Sequence, residues 1–423
     1  MNLCASLGKV KTVNRAAATR TGPPAARQAT LREHNLALVA RAVLESPAPC
    51  SRADIAAASG LTRATVSTLV DRLVAARIVA ELPPLAPQRA GRPAVPLVPA
   101  PRTIVGLGLE VNVDYLGGRV VDLTGAVVAE HVAPDDLHDS DPAAVLGRLG
   151  AIARELVARV RAQGMTTAGA TLALPGLVDV RTGRLEVAPN LGWSRLDPVA
   201  LLGLETPDGP LPVDVANEAK VAALAQSGPR VLPDGATRSP STYLYVSGDV
   251  GIGSAIVVDR RLFHGRHGWA GEIGHVVVDP RGPRCRCGAT GCLEQYAGKD
   301  ALLRGAGLDV GADVSELVAA LDAGEPGARA SVERAGAALG SALADSVNLV
   351  DIDTVLLGGI YPPLLGHLRA PVEAELQARV LAAPWADLRV DAAPVGDHAA
   401  LTGGAREVLR GVVENPSAWV AAD

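Results

Sequence analysis

The chain has 423 residues, 48% of them hydrophobic and 20% charged, with a formal net charge of −5. That length predicts two or three domains rather than one small core, and the apolar fraction excludes wholesale disorder. No window of about 18 strongly apolar, uncharged residues is present, and Met1 to Pro24 carries Lys9, Lys11, Arg15 and Arg20 instead of a secretory h-region, so the expectation is a soluble, cytoplasmic protein with no membrane partner.

The charge is unevenly spread. Residues 1–102 hold 14 Lys and Arg against 5 Asp and Glu, a balance of +9, whereas the remainder has a balance of −14. A basic head on an acidic body predicts that the head alone meets a polyanion. Only four of the 40 basic residues are Lys, a bias that GC-rich coding would also produce, so Arg usage alone says little about function.

Residues 1–28, rich in Ala, Thr and Arg, are expected to be a disordered basic tail. From Leu31 the pattern turns helical, with Leu36, Val39 and Val43 on one face and a stop near Ser46-Pro47. In SRADIAAASG, Ser51 is a suitable N-cap, Asp54 completes a capping box, and Gly60 can end the short helix in a left-handed conformation. Thr62 caps a third helix with Val66, Leu69, Val70 and Leu73 facing inward. Helix, short helix, Gly turn, helix is a helix-turn-helix layout. Ile78–Leu82 and Val95–Val98 read as the strands of a wing with a basic RAGRP tip. Residues 29–98 therefore read as a winged helix-turn-helix for double-stranded DNA. Its candidate contacts are Ser51, Arg52, Thr62, Arg63, Ala64, Thr65, Ser67, Thr68, Arg89 and Arg92. The competing reading is a three-helix bundle for protein contacts.

Pro96, Pro99 and Pro101 suggest a linker into the body, residues 99–423. Thr103–Leu109, Tyr115–Leu123 and Ala126–Val132 read as strands, Pro142–Gln163 as a helix with Val145, Leu149, Ile152 and Leu156 on one face, and Ala168–Leu174 as a buried strand. Strands and helices then alternate. Hairpins first and alternating units after predict an α/β body of two lobes with a cleft.

Four motifs are expected to line that cleft: ALPGLVD (Ala173–Asp179), APNLGW (Ala188–Trp193), VANEAKVAALAQ (Val215–Gln226) and the stretch Ala270–Gln295. The third puts Asn217 and Glu218 at a helix start, where an ordinary cap is the competing explanation. The fourth reads G-H-x9-C-x-C-G-x2-G-C-L-E. His275, Cys285, Cys287 and Cys292 form a closed His/Cys3 set for a structural zinc, which would hold a loop with little core of its own. A disulfide or redox role is the competing reading, though one intervening residue makes a Cys285–Cys287 bridge awkward. Cys4 and Cys50 read as spare thiols. Glu272 and Glu294 flank the ligands, able to accept hydrogen bonds from hydroxyls. Trp193 and Trp269 are either core residues or platforms for a pyranose face.

With these motifs the chain resembles the ROK family (repressors, open reading frames and sugar kinases), in its winged-helix, xylose-repressor-like branch, over about residues 30–423. The resemblance implies an actin-like, hexokinase-like (ribonuclease-H-like) two-lobed fold, a structural zinc and a monosaccharide in the cleft. Carried over by motif, the sugar contacts would be Asn190, Asn217, Glu218, Glu272, His275 and Glu294, with His275 serving metal and sugar through its two ring nitrogens.

A kinase of this family needs phosphate loops and an Asp base. Where the family's first loop resembles D-x-G-G-T-K, this chain has Glu110-Val111-Asn112-Val113-Asp114-Tyr115. Where the second resembles G-T-G-I-G, it has Asp249-Val250-Gly251-Ile252-Gly253. The base position holds Glu218, and an Asn two residues on is Lys220. These departures imply no catalytic residues and a sugar-responsive repressor acting on operator DNA as a homodimer or tetramer. The alternatives are an ATP-dependent hexose kinase carrying a DNA-binding head, and a scaffold whose cleft takes a protein.

Overall fold

The computed structural model describes residues 28–84, 95–207, 209–227, 230–231, 237–238 and 240–420. The wing tip, with Arg89 and Arg92, and the expected N-terminal tail lie outside them, apart from Gln28.

The head begins with α1 (Gln28–Leu44), α2 (Arg52–Ser59) and α3 (Arg63–Ala75). The caps form as read. Ser51 Oγ accepts from the Asp54 amide while Asp54 accepts from the Ser51 amide at 2.9 Å, and Gly60 ends α2 at φ 72°. Thr62 Oγ1 accepts from the Thr65 amide at 3.1 Å. Strands β1 (Val79–Glu81) and β2 (Leu97–Pro99) pair antiparallel. The proline-rich stretch is thus no free linker. Pro99 is part of β2, and Ala100 donates its amide to Ile78 at 3.0 Å.

The first lobe carries β3 (Ile104–Val111), β4 (Tyr115–Asp122), β5 (Val127–Pro134), helix α4 (Pro142–Ala162) and β6 (Thr166–Leu174). A small sheet follows, β7 (Leu177–Asp179), β8 (Arg184–Ala188) and β9 (Trp193–Leu196), then α5 (Pro198–Leu202), β10 (Val213–Asn217) and α6 (Glu218–Ala225). The main sheet runs β10-β6-β3-β4-β5, with β10, β6 and β3 parallel and the rest antiparallel.

The second lobe repeats that plan. Strands β11 (Tyr243–Gly248), β12 (Ile252–Val258) and β13 (Arg261–Leu262) form an antiparallel meander; β14 (Thr354–Gly359) lies parallel beside β11, and β15 (Arg389–Ala392) parallel beside β14. Each lobe is a three-strand meander extended by two parallel strands from its first strand, a duplicated ribonuclease-H-like arrangement. Helices α7 (Glu294–Ala297), α8 (Lys299–Ala306), α9 (Val314–Asp322), α10 (Pro326–Val350) and α11 (Tyr361–Arg379) cover the second sheet around Leu339, Leu343, Leu357 and Leu368.

The last helix, α12 (Ala399–Glu414), returns to the first lobe and lies across β3. Gly106 and Gly108 permit this. A Cβ on Gly108 would sit 1.9 Å from the Leu401 carbonyl oxygen, and one on Gly106 2.1 Å from that of Ala405. Further along, Leu409 and Val412 share one core with Leu36, Val39 and Val43 of α1. The head is therefore packed on the body through α12. Among the described residues no helix is long and apolar enough to cross a membrane.

Candidate functional site

The exposed end of α3 presents Arg63, Ala64 and Thr68, with Thr65 and Ser67 half-buried beside them. Thr62 is the cap. Ser51 and Arg52 are placed differently from the rest of the expected contact set. Ser51 spends its hydroxyl on Asp54, and Arg52 is held by Asp71 and Glu81, each at 2.6 Å. Ser51 therefore caps α2, and Arg52 braces α2 against α3 and β1.

In the body, His275, Cys285, Cys287 and Cys292 bring their ligand atoms within 4.8 Å of one another. Cys287 and Cys292 sulfurs are 3.7 Å apart, and Cys285 Sγ is 3.9 Å from His275 Nδ1. A tetrahedron with zinc–sulfur bonds of about 2.3 Å has sulfur–sulfur edges of about 3.8 Å, so the four groups fit a metal ion. The Nδ1 atom faces the thiols, which leaves Nε2 as the ring nitrogen free for another partner.

The cleft between the lobes is a cavity of about 510 Å³ lined by Asn190, Asn217, Glu218, Glu272, His275 and Glu294, the six residues expected to contact a sugar. Backbone features bring them together. Asn217 caps α6 through the Lys220 amide and donates its Nδ2 to Glu218 Oε2 at 2.6 Å and to the Gly176 carbonyl at 3.2 Å, so the cap also orients Glu218. Gly176, at φ 102°, lies where a Cβ would meet Val187 O at 2.1 Å. Gly251 has the same effect on the facing wall, since a Cβ there would stand 2.9 Å from Glu294 Oε2 and 3.1 Å from Asn190 Nδ2. The two tryptophans do not line the cavity. Trp193 is 2% exposed with its indole donating to Ser140 O, and Trp269 stacks on His267 and donates to Val178 O.

The site also contains groups that motif reading did not assign. Lys220, 5% exposed, donates to the Gly268 carbonyl and lies 3.7 Å from Glu272 Oε1. Burial lowers its pKa, opposed by the charges of Glu272 and Glu218. Burial also pushes Glu218 up to about 8, with the Glu272 charge adding to it, and raises Glu272 itself against the pull of Lys220. Lys220 offered one clue, as a lysine in the first turns of an otherwise apolar helix.

At the far end, the residues standing where phosphate loops would be expected join the lobes. Asn112 Nδ2 donates to Asp249 Oδ2 at 3.0 Å, and Lys299 forms a close ion pair with Asp114. Glu110 is 2% exposed and burial pushes its pKa up to about 7, opposed by hydrogen bonds from Tyr115 and Asn112.

Fold and site together define a class: a two-lobed, hexokinase-like body with a His/Cys3 cluster beside its cleft and a helix-turn-helix at its N-terminal side. The ROK family profile matches residues 107–410, and the chain belongs to the ROK family. It is 26% identical over 358 residues to the xylose repressor of Bacillus subtilis, covering 84% of this chain and 90% of that protein. It is 31% identical over 255 residues to a glucokinase of Halalkalibacterium halodurans, covering 56% of this chain and 74% of the kinase. Among solved structures, a ROK family transcriptional regulator described as a homologue of the E. coli MLC protein superposes with a TM-score of 0.73 at 26% identity, covering 91% of this chain and 97% of that one.

Proposed function

We propose that this protein is a sugar-responsive transcriptional repressor and not an enzyme. Residues 29–98 bind an operator as a winged helix-turn-helix, with Arg63, Ala64, Thr65, Ser67 and Thr68 toward the bases and the wing, including Arg89 and Arg92, toward the backbone or minor groove. Residues 99–423 bind a monosaccharide through Asn190, Asn217, Glu218, Glu272, His275 and Glu294. His275, Cys285, Cys287 and Cys292 hold a structural zinc that fixes the loop carrying His275 and Glu294. A homodimer matches the two heads to a palindromic site.

One observation carries the choice of sensor over kinase. The positions that a phosphoryl-transfer enzyme would use to cradle a triphosphate carry Glu110, Asp114 and Asp249, and Asn112 and Asp114 are engaged across the cleft. Phosphoryl transfer depends on positioning and on neutralising phosphate charge, and carboxylates at these positions add negative charge instead.

A route from cleft to head also supports the reading. Helix α12 starts with Ala399 and Ala400 in the cleft wall and continues to Leu409 and Val412 in the core shared with α1. A sugar that binds one lobe arrangement more tightly shifts the population of arrangements, and α12 carries the head with it.

The test is thermal-shift screening of the full chain with sugars, followed by operator binding with and without any hit. A sugar that raises the melting temperature and changes operator affinity is the expected result. Turnover of ATP with a hexose at an enzyme-like rate would replace this reading by the kinase one.

A further inference from the structure

The cleft continues past the residues assigned to the sugar, along the ends of β3 and β11, where Glu110, Asn112, Asp114 and Asp249 line it. Glu110 faces this cavity although it is 2% exposed, and its Oε2 atom has no hydrogen-bond partner. A buried acceptor left without a donor is costly, and it marks a place where a donor from outside the chain would be favoured. Tyr115 and Asn112 stabilise the Glu110 carboxylate, yet neither gives Oε2 a hydrogen bond. The Asn112 amide is committed to Asp249, whose other oxygen accepts the Val250 amide at 3.1 Å, and Lys299 is committed to Asp114.

The charge balance points the same way. The residues lining the whole cleft include eight carboxylates, one lysine and two histidines. Nor are these carboxylates arranged for a bare metal ion. Among the described residues the only His, Cys, Asp or Glu group tight enough for one is the His275 and cysteine set.

Resting on the reading of the cleft as a sugar site, we propose that Glu110 and Asp249 are specificity-determining residues that restrict the effector to an unphosphorylated sugar, with Glu110 accepting a hydrogen bond from one of its donor groups. A sugar hydroxyl gives Glu110 Oε2 the donor it lacks. At pH 8, above the value of about 7 to which burial pushes Glu110, a phosphate dianion in the same place adds no donor and faces carboxylates between low-dielectric walls, where repulsion is poorly screened. Like-charge juxtaposition of this kind is an effective way to reject a competitor.

The experiment is calorimetry on the full chain at pH 8, where Glu110 is ionised, with glucose, xylose and glucosamine, and with glucose 6-phosphate, xylose 5-phosphate and glucosamine 6-phosphate. For whichever sugar binds, its phosphate should bind at least about 100-fold more weakly. In Glu110→Gln/Asp249→Asn that ratio should fall below about 10-fold, because the shapes stay and the charges go. The single variants Glu110→Gln and Asp249→Asn serve if the double one does not fold, each narrowing the ratio in part. A phosphate that binds the unaltered protein as tightly as its parent sugar overturns the proposal and leaves the sugar-cleft reading standing. An unchanged ratio in folded variants removes the assignment to these two residues. Binding by no member of either series is the different failure, that of the sugar-cleft reading itself, and the proposal falls with it.

Discussion

Asn112 and Asp249 stand on opposite lobes and meet at 3.0 Å across the floor of the cleft. Asp114 and Lys299 repeat the arrangement a short distance away. The first residue of each pair follows β3 and the second lies beyond β11, so relative motion of the lobes must stretch or break both contacts. Both contacts therefore favour the lobe arrangement seen here.

Asp114→Asn removes the ionic one of these two contacts. The pair is only partly buried, so its loss should cost about 1 kcal/mol and the fold should survive. Sugar affinity should fall about 5-fold, because the ligand must then form the closed arrangement with less help. Calorimetry with the sugar identified by screening reads this directly, and an unaltered affinity would show that the pair has no part in closure.

The metal cluster gives a chemical test. Cys287 is the exposed member of the proposed ligand set, so Cys287→Ser changes little packing and removes one thiol. Metal content measured on purified protein should fall from one equivalent toward zero. If a bound metal stands in for a core in this loop, its resistance to proteolysis should fall as well. Full metal content in the variant would refute the ligand set.

What could be read from residue order was whatever is local. Ser51 with Asp54, Gly60 and Thr62 each act within four residues of themselves, and the structure forms all of these caps as written. The His275 and cysteine set spans 18 positions and is legible because few other chemistries need that spacing. Partnerships set by tertiary packing were not legible. Nothing near Glu110 announces that it will be buried, or that Lys220 will reach Glu272 from another segment. The matching topology of the two sheets is equally silent, because strand order leaves no repeat in side chains. Pro96–Pro101 was misleading for a related reason: Pro99 occupies a short two-strand ladder, where a missing amide is tolerated.

Burial of Glu110 makes stability depend on pH with a definite sign. Its pKa rises from 4.5 in the free chain to about 7 in the folded one. Between those values the unfolded chain has released the proton and the folded chain still holds it. Unfolding free energy therefore falls as pH rises through that window and levels off above it. Glu218, pushed up to about 8, extends the window upward. Glu110→Gln should gain on the unaltered protein by roughly 2–3 kcal/mol between pH 5 and pH 8. Urea unfolding at the two pH values measures the gain, and a difference that does not vary with pH would contradict the burial account.

Leu409 tests whether α12 couples the body to the head. It is 6% exposed within the core shared with α1, so Leu409→Ala should cost about 2–4 kcal/mol. If α12 transmits the state of the cleft, the variant should keep its sugar affinity while the sugar changes operator affinity less than in the unaltered protein. Thermodynamic coupling is the ratio of operator affinities with and without sugar, which separates it from simple weakening of either site. An undiminished ratio would mean that the signal travels elsewhere.

Arg63 is the first residue of α3, fully outside the head's core and next to the Thr62 cap. Its side chain is free of the carboxylates that hold Arg52 to Asp71 and Glu81, so the two arginines make opposite predictions. Arg63→Ala should weaken operator binding by about 1–3 kcal/mol if it reads a base. If it meets only phosphate, it should instead lower the slope of log affinity against log salt by about one. Neither outcome should alter the melting temperature. Arg52→Ala should lower the melting temperature, since it leaves Asp71 and Glu81 without their shared partner between α2, α3 and β1. Operator affinity in a salt series, with a thermal melt for each variant, distinguishes the two roles. An Arg63→Ala protein that binds DNA with unchanged affinity and salt slope would take this residue, and with it the exposed end of α3, out of the DNA interface.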